Sequence, residues 1–122
     1  GVCTSEIAKL AAGAKTLTNV ICAEGGASLA KMPGGMEWKK RYDAKYPGQF
    51  QVYSPYTYDA TMLLVDAMKR ANSVDPKVYT PEIRKSNFKG VTASIAFEDN
   101  GEMKNPAITL YKYVDGKKTP LN

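Results

Sequence analysis

The run from Ser54 to about Asn72 constrains this chain more than any other. Ser54 is a favourable N-cap residue and Pro55 suits the first helical position. Tyr56, Tyr58, Ala60, Met62, Leu63, Leu64, Val65, Ala67 and Met68 then follow within four turns. They occupy more than one stripe of a 3.6-residue helix, which predicts burial on most of its circumference. Asp59 and Asp66 precede Lys69 and Arg70, the order that a helix dipole favours. A helix of this kind needs a sheet, or several other helices, to cover it.

The rest of the chain offers little cover. Thr4 as an N-cap, with Ile7, Leu10 and Ala11 at helical spacing, predicts a short helix to about Ala12. Leu17 to Ala23 reads as a strand ended by Gly25-Gly26, and Ala27 to Gly35 as a loop. Met36 to Tyr46 has helical spacing and stops at Pro47-Gly48, after which Gln49 to Tyr53 is extended. Asp75-Pro76 reads as a turn, and Thr80-Pro81-Glu82 opens a helix to about Phe88, with Gly90 beyond it. Thr92 to Phe97 and Ala107 to Val114 alternate like strands. Asp99-Asn100-Gly101 is a tight turn, and Asp115-Gly116 is a type I′ hairpin signal before the return strand Lys117 to Leu121. The class is therefore α/β. Three helices come in succession without the strands that a self-contained domain would alternate with them. Incomplete sheets follow, with other chain segments or a second copy completing them by association or swapping.

Composition closes several routes. There is no histidine among 122 residues, which removes Ser-His-Asp and Cys-His catalysis and His-ligated metal sites. Two cysteines are too few for a zinc cage, and no apolar run approaches the roughly 20 residues of a membrane-spanning helix. No initiator Met is present, so Gly1 is expected to follow a processing event or a cut in a longer chain. Seventeen Lys and Arg against twelve Asp and Glu give a net charge of +5. Lys39, Lys40, Arg41 and Lys45 form the densest basic group, diluted by Glu37 and Asp43. It reads as a solvated surface, with binding to nucleic acid or an anionic surface as the alternative function. Cys3 and Cys22 could pair in an oxidising compartment or stay as small buried apolar residues in a reducing one, and their spacing alone does not choose.

No constellation marks an enzyme. Nothing brings Glu24, Asp59 or Asp66 together as a carboxylate pair, and Asp59 is read as serving the first turns of its own helix. Glu98 to Glu102 is too short for a calcium loop. The glycine pairs Gly25-Gly26 and Gly34-Gly35 lack the Lys and Ser/Thr of a phosphate loop. No cofactor is expected. The run Tyr53-Ser54-Pro55-Tyr56-Thr57-Tyr58 is the informative one. It stands at a helix entry with apolar rings and polar tips, suited to a small zwitterionic or apolar ligand. The same rings equally suit packing around a buried helix.

The segment Tyr53 to Ala71 resembles an element of the periplasmic branched-chain amino-acid-binding proteins, the solute receptors of ABC importers. Gly1-Val-Cys-Thr-Ser, Lys45-Tyr-Pro-Gly48, Lys89-Gly90-Val91, Phe97-Glu-Asp-Asn-Gly101, Asn105-Pro-Ala-Ile-Thr-Leu-Tyr111 and Asp115-Gly-Lys117 extend the likeness in order. The resemblance implies the C-terminal part of a type I periplasmic binding protein fold, whose two lobes close on a ligand. On this reading residues 1–19 belong to lobe two, 20–91 to the helical part of lobe one and 92–122 to the strands and hairpin of lobe two. It implies a non-enzymatic receptor for uptake of leucine, isoleucine, valine or related amino acids, read by an inner-membrane permease, without nucleic acid. Tyr53 is the expected ligand contact and Tyr56 a second one. The implied periplasmic setting makes a Cys3–Cys22 disulfide an expectation. The uncovered helix implies a homo-oligomer or a complex with the missing N-terminal part.

Overall fold

The computed structural model describes Cys3, Ile7, Leu10 and residues 17–121. Most of the first expected helix lies outside these residues; Ile7 and Leu10 carry helical backbone. The chain divides into two compact units, 1–28 with 106–122, and 29–105.

In the first unit, β1 (Ile21–Gly25), β4 (Ile108–Val114) and β5 (Lys117–Pro120) form an antiparallel sheet in the order β1-β4-β5. Cys22 faces Tyr111 across one ladder and Tyr113 faces Lys118 across the other. The hairpin turn holds Asp115 and Gly116 at φ 48° and 76°, the two positive angles that a type I′ turn demands. β4 buries Thr109, Tyr111 and Tyr113 on one face, as its alternation predicts. Tyr111, Tyr113 and Cys22 pack with Cys3, and Leu17 and Val20 lie against them. Cys3 and Cys22 are joined by a disulfide with Cα atoms 5.7 Å apart. Lys118 binds this corner together. Its Nζ donates to Glu24 at 2.6 Å and to the Cys3 carbonyl at 3.0 Å, and lies 4.3 Å from the Tyr111 ring centre. The opposite face is apolar yet open: Ile21, Ile108, Leu110 and Val114 are all exposed.

In the second unit, a 3-10 turn (Leu29–Lys31) leads into α1 (Gly35–Lys45), followed by α2 (Ser54–Ala71) and α3 (Pro76–Arg84). The short strands β2 (Asn87–Lys89) and β3 (Ser94–Ala96) form a hairpin. The expected segment boundary at 91/92 thus falls inside one hairpin. α2 has the expected length, but Ser54 is its first helical residue rather than its cap. Tyr53 caps it without a side-chain bond, and the Ser54 hydroxyl accepts from the Gln51 N–H at 2.9 Å. Asn72 ends it in the left-handed region. α3 begins earlier than Thr80. Asp75 caps it by accepting from the Lys77 N–H, Pro76 follows as the first residue, and Pro81 lies within it. Asp75-Pro76 is therefore a helix start and not an isolated turn.

Burial of α2 is confined to one stripe. Its buried residues are Pro55, Asp59, Leu63 and Ala67, a single four-residue repeat. Tyr58, Met62 and Val65 are exposed. The sequence pattern is that of a helix covered almost all round, while the described residues cover one stripe. The only sheet among them in this unit is the β2–β3 hairpin, so nothing broad is present to meet the other faces.

Arg70 fixes α2 to α3. Its guanidinium donates to Asp66 on its own helix, to the Glu82 carboxylate and carbonyl, and to the Ser86 hydroxyl, at 2.7–2.9 Å. Lys85 also donates to Glu82. The carboxyl of Glu82 is held below its ordinary value, first by the Lys85 hydrogen bond and then by the Lys85 and Arg70 charges, against partial desolvation.

Candidate functional site

Two features of the second unit organise the start of α2. The first is Asp59, which is 1% exposed. Its carboxylate accepts from the N–H groups of Val91 and Thr92 at 2.8 and 2.7 Å, and from the Thr92 hydroxyl at 2.5 Å. Asp59 therefore does not serve its own helix. It anchors α2 to a turn more than thirty residues away, and three donors compensate the burial of its charge. Gly90 permits this approach, because a Cβ there would lie 2.3 Å from the Asp59 Oδ2. The Val91 carbonyl in turn accepts from the Gly34 N–H at 3.0 Å, just ahead of α1. One short turn thus fixes the entries of both α1 and α2.

The second feature is aromatic. Trp38, 4% exposed, stacks on Tyr42 with centres 4.8 Å apart. Phe50 and Tyr58 tilt against it at 6.5 and 5.7 Å, and Tyr46 continues the row from Tyr42 at 5.3 Å. Offset and tilted rings at these distances attract one another beyond their burial. Spacings of three and four along α1 place Trp38, Arg41, Tyr42 and Lys45 on one side. Between this side and the first three turns of α2 lies an open groove of about 830 Å³.

Tyr53 lines the groove and is 68% exposed, so its ring is free to meet a ligand. Tyr56 is half-buried and does not line it. The groove thus receives Tyr53 and Tyr58 of the aromatic run but not Tyr56, and adds Trp38 and Tyr42, which the sequence placed only in a helix. The shared side of Trp38 and Tyr42 on α1 was the available signal. No group of three or more His, Cys, Asp or Glu side chains among the described residues could hold a metal ion. None of the described helices is long and apolar enough to cross a membrane.

A family profile described as periplasmic binding protein matches residues 2–118. The chain belongs to the periplasmic binding protein family. The Leu/Ile/Val-binding protein homolog 1 of Brucella suis biovar 1 (strain 1330) is 31% identical over 85 residues, 69% of this chain and 22% of that protein. The homolog from Brucella abortus (strain 2308) is 31% identical over 73 residues, 59% and 20% of the two chains. Among solved structures, the leucine-binding protein LivK of Thermotoga maritima MSB8 aligns with a TM-score of 0.78 at 22% identity, covering 98% of this chain and 34% of its own. An ABC transporter substrate-binding protein of Desulfitobacterium hafniense in complex with Leu gives 0.73 at 19% identity, covering 88% and 32%. The fold is thus that of part of a type I periplasmic binding protein. The chain spans about a fifth of the length of the curated relatives and about a third of the solved ones.

Proposed function

We propose that this chain is the C-terminal part of a non-enzymatic solute receptor that captures leucine, isoleucine or valine between two lobes and delivers it to an ABC permease. The family match over residues 2–118 carries this reading, because the Brucella relatives are named as Leu/Ile/Val-binding and the Desulfitobacterium neighbour holds Leu. Residues 29–105 are taken as the lobe-one part and 1–28 with 106–122 as the lobe-two part. Both boundaries differ from the expected ones, 28 in place of 19 and 105 in place of 91, because β1 pairs with β4 and the β2–β3 hairpin ties Ser94–Ala96 to the helical unit. Tyr53 is the ligand contact of lobe one, and Tyr56 a second candidate contact. A periplasmic or other extracytoplasmic location follows from the family, and the Cys3–Cys22 disulfide suits it.

The uncovered surfaces support a larger parent. One face of α2 and one face of the β1-β4-β5 sheet expose Val65, Ile21, Ile108 and Leu110. Apolar residues on both faces of a strand suit a sheet covered on both sides. The N-terminal remainder of a longer receptor would supply that cover, and a second copy is the other candidate. The alternative of a nucleic-acid module finds no support, since the matched family and relatives are solute-binding proteins. Isothermal titration of the longer receptor with leucine, isoleucine and valine tests the proposal. Saturable binding that weakens about tenfold or more in Tyr53→Ala is expected, in line with loss of an aromatic anchor. Absence of binding to all three would refute it.

A further inference from the structure

The groove between α1 and α2 is lined by two cations and by no acid. Lys39 pairs with Asp43, Arg70 with Asp66 and Glu82, Lys85 with Glu82, Lys104 with Glu98, and Lys118 with Glu24. Arg41 and Lys45 line the groove and have no carboxylate partner among the described residues; Lys45 lies 5.5 Å from the Tyr46 ring centre. They stand one turn apart on the same side of α1, both exposed. The lining contains no Asp or Glu at all. Opposite them, α2 contributes the hydroxyls of Ser54, Thr57 and Thr61 and the rings of Tyr53 and Tyr58. The groove therefore combines an aromatic floor, neutral hydroxyls and two uncompensated cations.

We infer that this groove binds a small aromatic carboxylate, its ring laid on the tyrosines and its anion between Arg41 and Lys45. A planar guanidinium offers paired N–H donors to a carboxylate, and an ammonium adds a point charge. Flat π-faces take an aromatic ring in offset or tilted geometry. Neither an amine nor an uncharged analogue satisfies both halves of the site. The inference shares Tyr53 with the receptor proposal but does not rest on it, because every group it uses lies within residues 38–61 and none comes from a second lobe.

Trp38 is the single tryptophan of the chain and lies in the groove wall, so its emission reports occupancy. The 122-residue chain is titrated with phenylacetate, 2-phenylethanol and 2-phenylethylamine, with far-ultraviolet circular dichroism confirming the fold. If the chain does not fold alone, calorimetry on the longer receptor containing it replaces the fluorescence readout, with the same probes and variants. The expected result is saturable binding of phenylacetate about tenfold tighter than the alcohol, with the amine weakest. Raising the salt concentration weakens the phenylacetate arm alone, because the cations are exposed. In Arg41→Ala/Lys45→Ala, whose side chains are exposed, phenylacetate falls to the level of the alcohol while the alcohol is unchanged. Equal binding of all three probes, no saturation, or an undiminished response in the double variant would overturn the inference. So would concentration-dependent self-association that excludes phenylacetate, which would make the groove an interface between copies. Leucine binding by the longer receptor tests the receptor proposal separately, and either result can fail without the other.

Discussion

Asp59→Asn removes one charge and almost no volume, and its cost can be worked from the contacts. The carboxylate receives three donors, from the Val91 and Thr92 N–H groups and the Thr92 hydroxyl. Hydrogen bonds to a charged acceptor contribute about 1.5–3 kcal/mol each, and shared ones do not add fully. An amide keeps one oxygen. Its NH2 group must then face a backbone N–H of Val91 or Thr92, leaving at least one buried donor without a partner. The expected loss is about 3 kcal/mol, a large share of the roughly 5–15 kcal/mol that holds a domain. In urea, at a slope of about 1.5 kcal/mol per molar, the unfolding midpoint falls by about 2 M with the slope unchanged. Trp38 emission follows the transition, since that ring is 4% exposed in the native unit. Asp66→Asn is the control. Asp66 pairs with Arg70 at the surface, and its loss should cost less than about 1 kcal/mol. A midpoint for Asp59→Asn as close to wild type as that of Asp66→Asn would refute the anchoring role.

Further outcomes follow from the same contacts. Gly90→Ala should destabilise the second unit comparably, because its Cβ would lie 2.3 Å from the Asp59 Oδ2 and 2.6 Å from its Cγ; an unchanged urea midpoint would contradict this. Reducing the disulfide, or Cys22→Ser, opens a loop of 19 residues and should cost about 3 kcal/mol on the chain-entropy account; calorimetry should show a lower melting temperature while the urea midpoint read by Trp38 stays in place. Glu82 titrates below its ordinary value of 4.5, so its contribution is present above that pH and is lost as pH falls through its lower folded value. Glu82→Gln should therefore flatten the decline of melting temperature in that acid window, and an unchanged decline would argue against the Lys85–Glu82–Arg70 group.

Local chemistry was readable in the sequence wherever a few adjacent residues decided the outcome. The span of α2, the Asp115-Gly116 hairpin and the alternation of β4 are of this kind. Errors arose where two local signals competed. Ser54 looked like a cap, but its hydroxyl turned back to Gln51 and Tyr53 took the cap position. Thr80-Pro81 looked like a helix start, but Asp75-Pro76 supplied a true side-chain cap one turn earlier. The site was less legible. The aromatic run at the entry to α2 could be picked out, and Tyr53 within it only through the family resemblance, whereas Asp59 meets its partners across more than thirty residues, and no periodicity encodes that distance. The aromatic floor required α1 and α2 to be set side by side, which spacing within either helix cannot reveal. The apolar pattern of α2 describes an environment wider than the described residues supply, as the shortage of strands in the sequence implies.

Reconstitution tests the central claim most directly. The 122-residue chain is mixed with the N-terminal remainder of the longer receptor, and association and leucine binding are measured by light scattering and calorimetry. The account predicts that neither piece alone binds leucine, that the two form a one-to-one complex, and that the complex binds it saturably with Tyr53→Ala weakening the binding. A compact monomer of the 122 residues that ignores the remainder, or a one-to-one complex indifferent to leucine, isoleucine and valine, would contradict it.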